Sequence, residues 1–415
     1  MKALFLSGSF ILAAAFTLCG CATNAPDHTP PEPQPGEPLT IIAVGDAGQS
    51  GSNLRGTAGY VTDMASGRHD AGRFDVMMFL GDNFYNTGLN IPASDVEGEI
   101  KKILGPYKYA FAALGRANVH AIPGNHDYYA RNAIETSLLF GLITISEGPV
   151  GFTDKGNTRE AQIDYWTYHF HMPSYAVYPE ARGSKDSVQI IFFDSALLLR
   201  TDPATWHPML DSLQRLLVGT RNRPGIVWRI FAAHHPFRSV GEHGGYTVWN
   251  DETNSVDYLT GCDRDSNAVG WIKNWLDPQD LCTDKYRQYV DSVKSMMKAG
   301  GVKIQLMITG HDHCLQFLYY PGSEAEYSGW PRVHIGSGAG SRTSMVKLPV
   351  PPNEFTAAQL KPEDKGMSLP GFAQLRFVGD KLRVVFFNAN NGDPIDMGGG
   401  KKEFWVDSSG ALVGP

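Results

Sequence analysis

The sequence predicts an α/β fold: one domain over roughly residues 39–400, built on mixed β-sheet with a central sheet flanked by helices. Three observations point to it. Short apolar runs alternate with amphipathic or polar segments throughout that span. Several runs are nearly continuous in Val, Ile, Leu, Phe and Met, the pattern of strands buried on both faces. Several also end in glycine followed by Asp, Asn or His. That puts polar side chains at the carboxyl ends of strands, where open α/β sheets bind ligands.

The strand candidates, in order, are "LTIIAVGD" (39–46), "FDVMMFLGD" (74–82), "ANVHAIPGNHD" (117–127), "SVQIIFFDS" (187–195), "GIVWRIFAAHHP" (225–236), "KIQLMITGHDH" (303–313) and "PRVHIGSGAG" (331–340). In "DKYRQYVDSVKSMMKAGG", Tyr286, Tyr289, Val293 and Met297 recur at helical spacing, and Gly300 can end that helix. "QLRFVGDKLRVVFFN" (374–388) reads as a hairpin with a Gly-Asp turn. Segments near 128–165 and 245–285 break the alternation and read as insertions, and 401–415 reads as a C-terminal tail.

Upstream of the domain, "MKALFLSGSFILAAAFTLCGC" has one positive charge, an apolar stretch and then small residues, the pattern of a secretory signal over residues 1–20. Its end resembles the lipobox of bacterial lipoproteins, with Cys21 as the lipidated residue. Cys19 is the unusual position, where Ala or Ser is commoner. Residues 21–38 are proline-rich and suit a semi-rigid tether. These features predict export and lipid anchoring in a bacterial envelope, at the outer membrane or periplasmic face, with simple secretion as the alternative. Export permits disulfides; Cys262 and Cys282 are the candidate pair, and Cys314 reads as a buried thiol. The net charge of −7 argues against a nucleic-acid partner but not against a small phosphorylated substrate.

The chemistry starts from "GHDH". In an extended segment His311 and His313 would face one side together, with Asp312 and Cys314 turned away. A histidine pair at this spacing suits one metal ion or two adjacent ions. "GDAG" adds Asp46, "GDNFY" adds Asp82 and Tyr85, "GNHD" adds Asn125 and His126, and "AAHH" adds His234. Carboxylates can bridge two cations, phenolate suits a trivalent ion, and imidazole suits a divalent one. Asp194 in "FFDS" reads as structural, and His235 is expected to point elsewhere if its strand continues.

Taken in this order, GDxG, GDxxY, GNH(D/E), xxxH and GHxH, the motifs make the chain resemble the metallophosphoesterase superfamily, and within it the purple acid phosphatases of the small, tartrate-resistant type. Most of that superfamily carries GDxH; here Gly48 stands at the histidine's place, and Tyr85 supplies the tyrosine typical of the purple branch. The resemblance also rests on "WTYHFHMP", "HHPFRSVGEHG" and "GSGAG" and covers roughly residues 39–345. It implies a calcineurin-like sandwich of mixed sheets. It implies that Asp46, Tyr85 and His313 bind Fe(III), that Asp82 bridges, and that Asn125, His234 and His311 bind a second, divalent ion: iron, zinc or manganese. His126 and His243 would lie outside the ligand set and assist the phosphate or the leaving group.

The expected activity is therefore acid hydrolysis of phosphate monoesters by a metal-bound hydroxide. Two alternatives stay open: a phosphodiesterase on nucleotide or lipid diesters, and a non-catalytic metal-binding surface lipoprotein. The segment 245–285, directly after His243, is the candidate for substrate specificity.

Overall fold

The computed structural model describes residues 36–85, 88, 96–128, 136–137, 144–145, 174–200, 203–244, 247–250, 255–258, 279–281, 283–320, 331–344, 346, 354–356 and 367–415. The signal segment, almost all of the tether, most of both insertions and the Cys262–Cys282 pair lie outside these residues.

The chain opens with β1 (Thr40–Val44), α1 (Ser52–Ala65), β2 (Val76–Leu80), α2 (Val96–Ile103), α3 (Lys108–Leu114) and β3 (Val119–Ile122). Two short strands, β4 (Thr136–Ser137) and β5 (Thr144–Ile145), pair with each other. Next come β6 (Tyr175–Pro179), β7 (Ser187–Phe193), α4 (Ser195–Arg200), α5 (Pro203–Thr220) and β8 (Ile226–Ala233). A second small pair, β9 (Thr247–Asn250) and β10 (Ser255–Tyr258), precedes α6 (Asp284–Gly300). The remainder is β11 (Leu306–Thr309), β12 (Leu315–Tyr319), β13 (Val333–Ser337), β14 (Glu354–Thr356), β15 (Gly371–Val378), β16 (Lys381–Asn388), β17 (Glu403–Asp407) and β18 (Leu412–Val413).

These strands make two seven-stranded mixed sheets, the sandwich that the resemblance implies, where the apolar runs alone suggested one central sheet. One runs β18-β17-β16-β15-β1-β2-β3 and the other β14-β12-β13-β11-β8-β7-β6. Apolar periodicity shows that a strand is covered on both faces but not which strands share a sheet, so one sheet and two facing sheets look alike in sequence. Alternation within each strand explains the continuous runs. In β1, Ile41 and Ala43 enter a cluster shared with Trp228, Ile230, Leu306 and Ile308 of the other sheet, whereas Ile42 and Val44 meet Leu54, Ala58 and Val61 of α1. The second sheet buries Phe231 and Met307 on its outer face against Leu213 and Leu217 of α5 and Tyr289, Val293 and Met297 of α6. The result is a four-layer helix–sheet–sheet–helix sandwich.

The residues read as a tail, 401–415, instead add β17 and β18 to the edge of the first sheet. The hairpin falls where the Gly-Asp turn puts it, with Val378 opposite Lys381 and Gly379 at φ 62°. α6 ends at Gly300 as read. Gly301 takes the left-handed cap at φ 61°, while Gly300 packs on Leu217, whose Cβ would lie 2.6 Å from any Cβ at that position. Among the described residues no helix is long and apolar enough to cross a membrane.

One buried titratable group outside the candidate site carries a stability prediction. His334 on β13 is 3% exposed, with Nε2 3.4 Å from Thr309 Oγ1. Burial, helped by Arg238 and Lys294, pushes its imidazole down to about 3. In the unfolded chain it protonates near its ordinary value of about 6.5. Between those values the unfolded chain binds the extra proton, so stability falls as pH falls. At pH 4.5 this group alone costs about 2–3 kcal/mol. We expect His334→Leu to lose less melting temperature than the parent between pH 6.5 and 4.5; parallel losses would remove His334 as a cause.

Candidate metal centre

The carboxyl ends of β1, β2 and β3 from one sheet meet those of β8 and β11 from the other, and every strand-end residue singled out in the sequence comes to that junction. Asp46 follows β1, Asp82 follows β2, Asn125 follows β3, His234 follows β8, and His311 and His313 follow β11. Three of them, Asp46 (φ 53°), Asp82 (φ 51°) and His311 (φ 72°), adopt the left-handed conformation. For a residue with a Cβ this costs on the order of 1–3 kcal/mol and persists only where the surroundings enforce it. Here they do. Gly45 lies so close to Gly310 that a Cβ on it would be 2.9 Å from the Gly310 Cα, and a Cβ on Gly310 would be 2.7 Å from Asp46 Oδ2. The two sheets are thus stitched turn to turn: the His311 N–H donates to Asp46 Oδ2 at 2.8 Å.

His311 and His313 do share one site, but not by the alternation of an extended strand. The chain leaves β11 at Thr309, and the left-handed His311 turns the backbone. Asp312 turns away as expected, accepting the His243 N–H at 2.8 Å, and Cys314 is buried with Val240, Leu318 and Val346.

Tyr85 stands at one focus. Its hydroxyl lies 2.7 Å from Asp46 Oδ1, 2.8 Å from Asp82 Oδ2 and 3.0 Å from His313 Nε2. One hydroxyl hydrogen cannot serve two carboxylates at once, so acceptors outnumber donors here. Asn125 stands at the other. His234 Nδ1 faces the Leu80 carbonyl at 2.8 Å, and His311 Nε2 faces the Gln279 carbonyl at 2.8 Å; each of those nitrogens therefore carries the hydrogen. The other nitrogens, His234 Nε2 and His311 Nδ1, point at Asn125 Oδ1, at 3.0 and 3.3 Å. With His234 neutral, these three atoms are acceptors that converge without a hydrogen. Asp82 spans the two foci, with Oδ2 on Tyr85 and Oδ1 3.4 Å from His234 Nε2.

Titration behaviour follows. Burial pushes the Asp46 carboxyl well above the carboxylate range; Asp82 adds to this and His234 opposes it. Burial works the same way on Asp82, but His234 and His126 outweigh it and hold Asp82 well below that range. Burial disfavours charge on His234, yet Asp82 lifts it to about 9. Burial drives Tyr85 up and His311 and His313 down. A cation at each focus removes the need for these protons, and the mixed O/N donors fit transition-metal ions. Asp46, Asp82 and His234 form one group that could hold a metal, and His234, His235 and His311 another, each with ligand atoms within 4.8 Å of one another.

His235 is a correction. It was expected to point elsewhere if the strand continued, but β8 ends at Ala233, so alternation no longer applies. Its ring packs 4.4 Å from that of His311, with Nδ1 2.9 Å from Ser195 Oγ. Asp194 is structural as read, accepting the Leu197 N–H at the start of α4.

A family model for calcineurin-like phosphoesterases matches residues 39–315, two thirds of the chain and every strand end that builds this junction. The chain belongs to that family. Among solved structures, this calcineurin-like phosphoesterase resembles PhoD at 14% identity and TM-score 0.50, over 92% of this chain and 73% of that one, a likeness of fold. The Plasmodium inner-membrane-complex anchor GAP50 matches at 15% identity and TM-score 0.46, covering 86% of each chain. A dimetal phosphatase from Danio rerio matches at 12% and 0.42, covering 90% of this chain and all of that one. No curated protein sequence matches.

Around the foci, the phosphoesterase places both outer histidines. His126 lies with its ring 4.5 Å from that of Tyr85, and its backbone N–H donates to Asp82 Oδ1 at 2.8 Å. His243 stacks on His311 at 4.4 Å, and its Nδ1 is 2.7 Å from Asp280 Oδ1. Sequence reasoning missed three neighbours. Asp127 accepts the N–H groups of Asn83, Phe84 and Gly124 and locks the second and third strand-end turns together. Its place in "GNHD" was a usable signal. Asp280 sits in a segment without periodicity, and Arg342 lies beyond the last strand-end motif, with its guanidinium carbon 4.5 Å from the centre of the Tyr85 ring. Neither carried a signal in sequence.

Proposed function

We propose that this phosphoesterase is a dinuclear acid phosphatase of the purple type, hydrolysing phosphate monoesters. The observation that supports it most is Tyr85 wedged between Asp46, Asp82 and His313 beside a glycine at position 48. A Cβ on Gly48 would lie 2.5 Å from the Phe84 nitrogen, and the Tyr85 N–H donates to the Gly48 carbonyl at 3.1 Å. The absence of a side chain at 48 is what lets the 82–85 turn bring in the phenol. In this reading Asp46, Tyr85 and His313 would hold Fe(III), Asn125, His234 and His311 would hold divalent iron, zinc or manganese, and Asp82 would serve both. When bound, such a pair would activate water and neutralise charge on the phosphoryl oxygens. The protein's own part is to position and to move protons. His243, kept in orientation by Asp280, and His126 give a proton to the leaving oxygen. Tyr85 and Asp82 fix the spacing of the foci.

The test is a visible spectrum with elemental analysis. We expect two metals per chain and a broad tyrosinate–iron band that Tyr85→Phe abolishes. A colourless protein with two zinc or manganese ions discards the ferric assignment, and one without metal discards the enzyme. A faster rate on an aryl diester than on the aryl monoester would replace the monoesterase reading. For localisation, we propose anchoring through Cys21 in the envelope, supported by the lipobox-like end of the signal segment.

A further inference from the structure

Among the described residues, Arg342 is a cation beside the candidate centre that the function above does not use. It is half-buried, follows the "GSGAGS" turn after β13, and its guanidinium lies over the Tyr85 ring. Among the described residues it makes no hydrogen bond or ion pair, so the five N–H donors of its planar fork stay uncommitted. Cation–π attraction to the phenol ring engages the charge and forms no hydrogen bond with an oxygen acceptor.

Arg342 lines an open cavity of about 310 Å³ together with residues 49–53, 341 and 343. This is the lower end of the range for small-molecule sites, about 300–1,000 Å³. The lining is one-sided in chemistry. Besides Arg342 it consists of Gln, Ser, Asn, Thr and Gly, with no carboxylate and no apolar side chain. The cavity adjoins the metal centre through Ser341, whose hydroxyl and N–H both donate to the Asp46 carbonyl, while the same hydroxyl accepts the Gln49 N–H at 3.0 Å. A polar cavity holding an uncommitted arginine and no acid selects an anion, and a guanidinium fork suits carboxylate or phosphate bidentately.

We propose that Arg342 and this cavity form a subsite for a second anionic group, carried on the alcohol part of the ester, so that the enzyme selects substrates bearing a carboxylate or a second phosphoryl group a few bonds from the scissile one. The proposal rests on the phosphoesterase reading, but binding can test it without turnover.

The probes are three non-hydrolysable phosphonates: ethylphosphonate, 3-phosphonopropionate and ethane-1,2-bisphosphonate, titrated calorimetrically into metal-loaded full-length protein. A second anion should tighten binding about 10–100-fold over ethylphosphonate, as expected for one charge-assisted contact. The carboxylate and bisphosphonate arms tell which anion is preferred. In Arg342→Gln the ratio of two-anion to one-anion affinity should collapse towards one, with Arg342→Lys between. Equal weakening of all three ligands in Arg342→Gln would overturn the subsite, showing that Arg342 acts through Tyr85 and the metals. Equal affinities in the parent would overturn it as well. If the ratio behaves as expected but no phosphate ester is hydrolysed, the subsite stands and the phosphatase reading falls.

Discussion

Replacing Asp82 by asparagine is expected to lower phosphoester hydrolysis roughly a thousandfold or more, since the two-metal clamp is worth several kcal/mol of transition-state charge stabilisation. Asparagine is the informative change. It keeps the shape and tolerates the left-handed backbone at φ 51°, so the effect is one of charge. Asp82 is 1% exposed, and its two oxygens face the two foci, Oδ2 towards Tyr85 and Oδ1 towards His234 Nε2. Without it neither focus keeps its full donor set, and metal content should drop at both. In the metal-free protein burial opposes the Asp82 charge, but His234 and His126 outweigh it and hold the ionised carboxyl well below its usual range. The charge therefore stabilises the fold at neutral pH, and Asp82→Asn should melt at a lower temperature, with the loss of repulsion against Asp46 offsetting part of the effect. In the loaded protein the variant loses the stabilisation that bound metal gives. Two metals per chain and activity within tenfold of the parent would remove Asp82 from the centre.

The second large effect concerns proton delivery. His126→Ala with His243→Ala should lower turnover roughly 10²–10⁴-fold, the usual contribution of general acid catalysis, while both metals stay bound. His243 is the more constrained of the two, stacked on His311 and hydrogen-bonded to Asp280. Burial works against charge on it, but the Asp280 bond and the nearby Asp312 prevail and its pKa is raised. A general acid works below its pKa, so activity should fall as pH rises through that value. Asp280→Asn removes part of the lift and should move the alkaline limb of the profile to lower pH. Loss of metal in the double variant would reassign these histidines as ligands; unchanged turnover would end their assigned role.

The strands were legible because burial on both faces leaves a mark on every residue, as in "TIIAV" and "VMMFL". The centre was legible because its residues sit at strand ends behind glycines, a local signature. What was not legible depends on contacts between distant segments. Nothing near Ile41 says that its neighbours across the core are Trp228 and Leu306. Arg342 and Asp280 act through partners 257 and 37 positions away, Tyr85 and His243, in segments without periodic apolar residues. His235 was misjudged because a rule for strands was carried one residue past a strand's end.

The close fit between Gly48 and the 82–85 turn ties the two positions together. The backbone of residues 82–84 fills the space that any side chain at 48 would occupy, with contacts of 2.5–2.7 Å to a Cβ there. A histidine placed at 48 would therefore displace the turn that carries Tyr85, and under the proposed assignment a phenylalanine at 85 would leave a focus short of a donor. Positions 48 and 85 are therefore expected to be epistatic: a change at one should be tolerated only together with a change at the other.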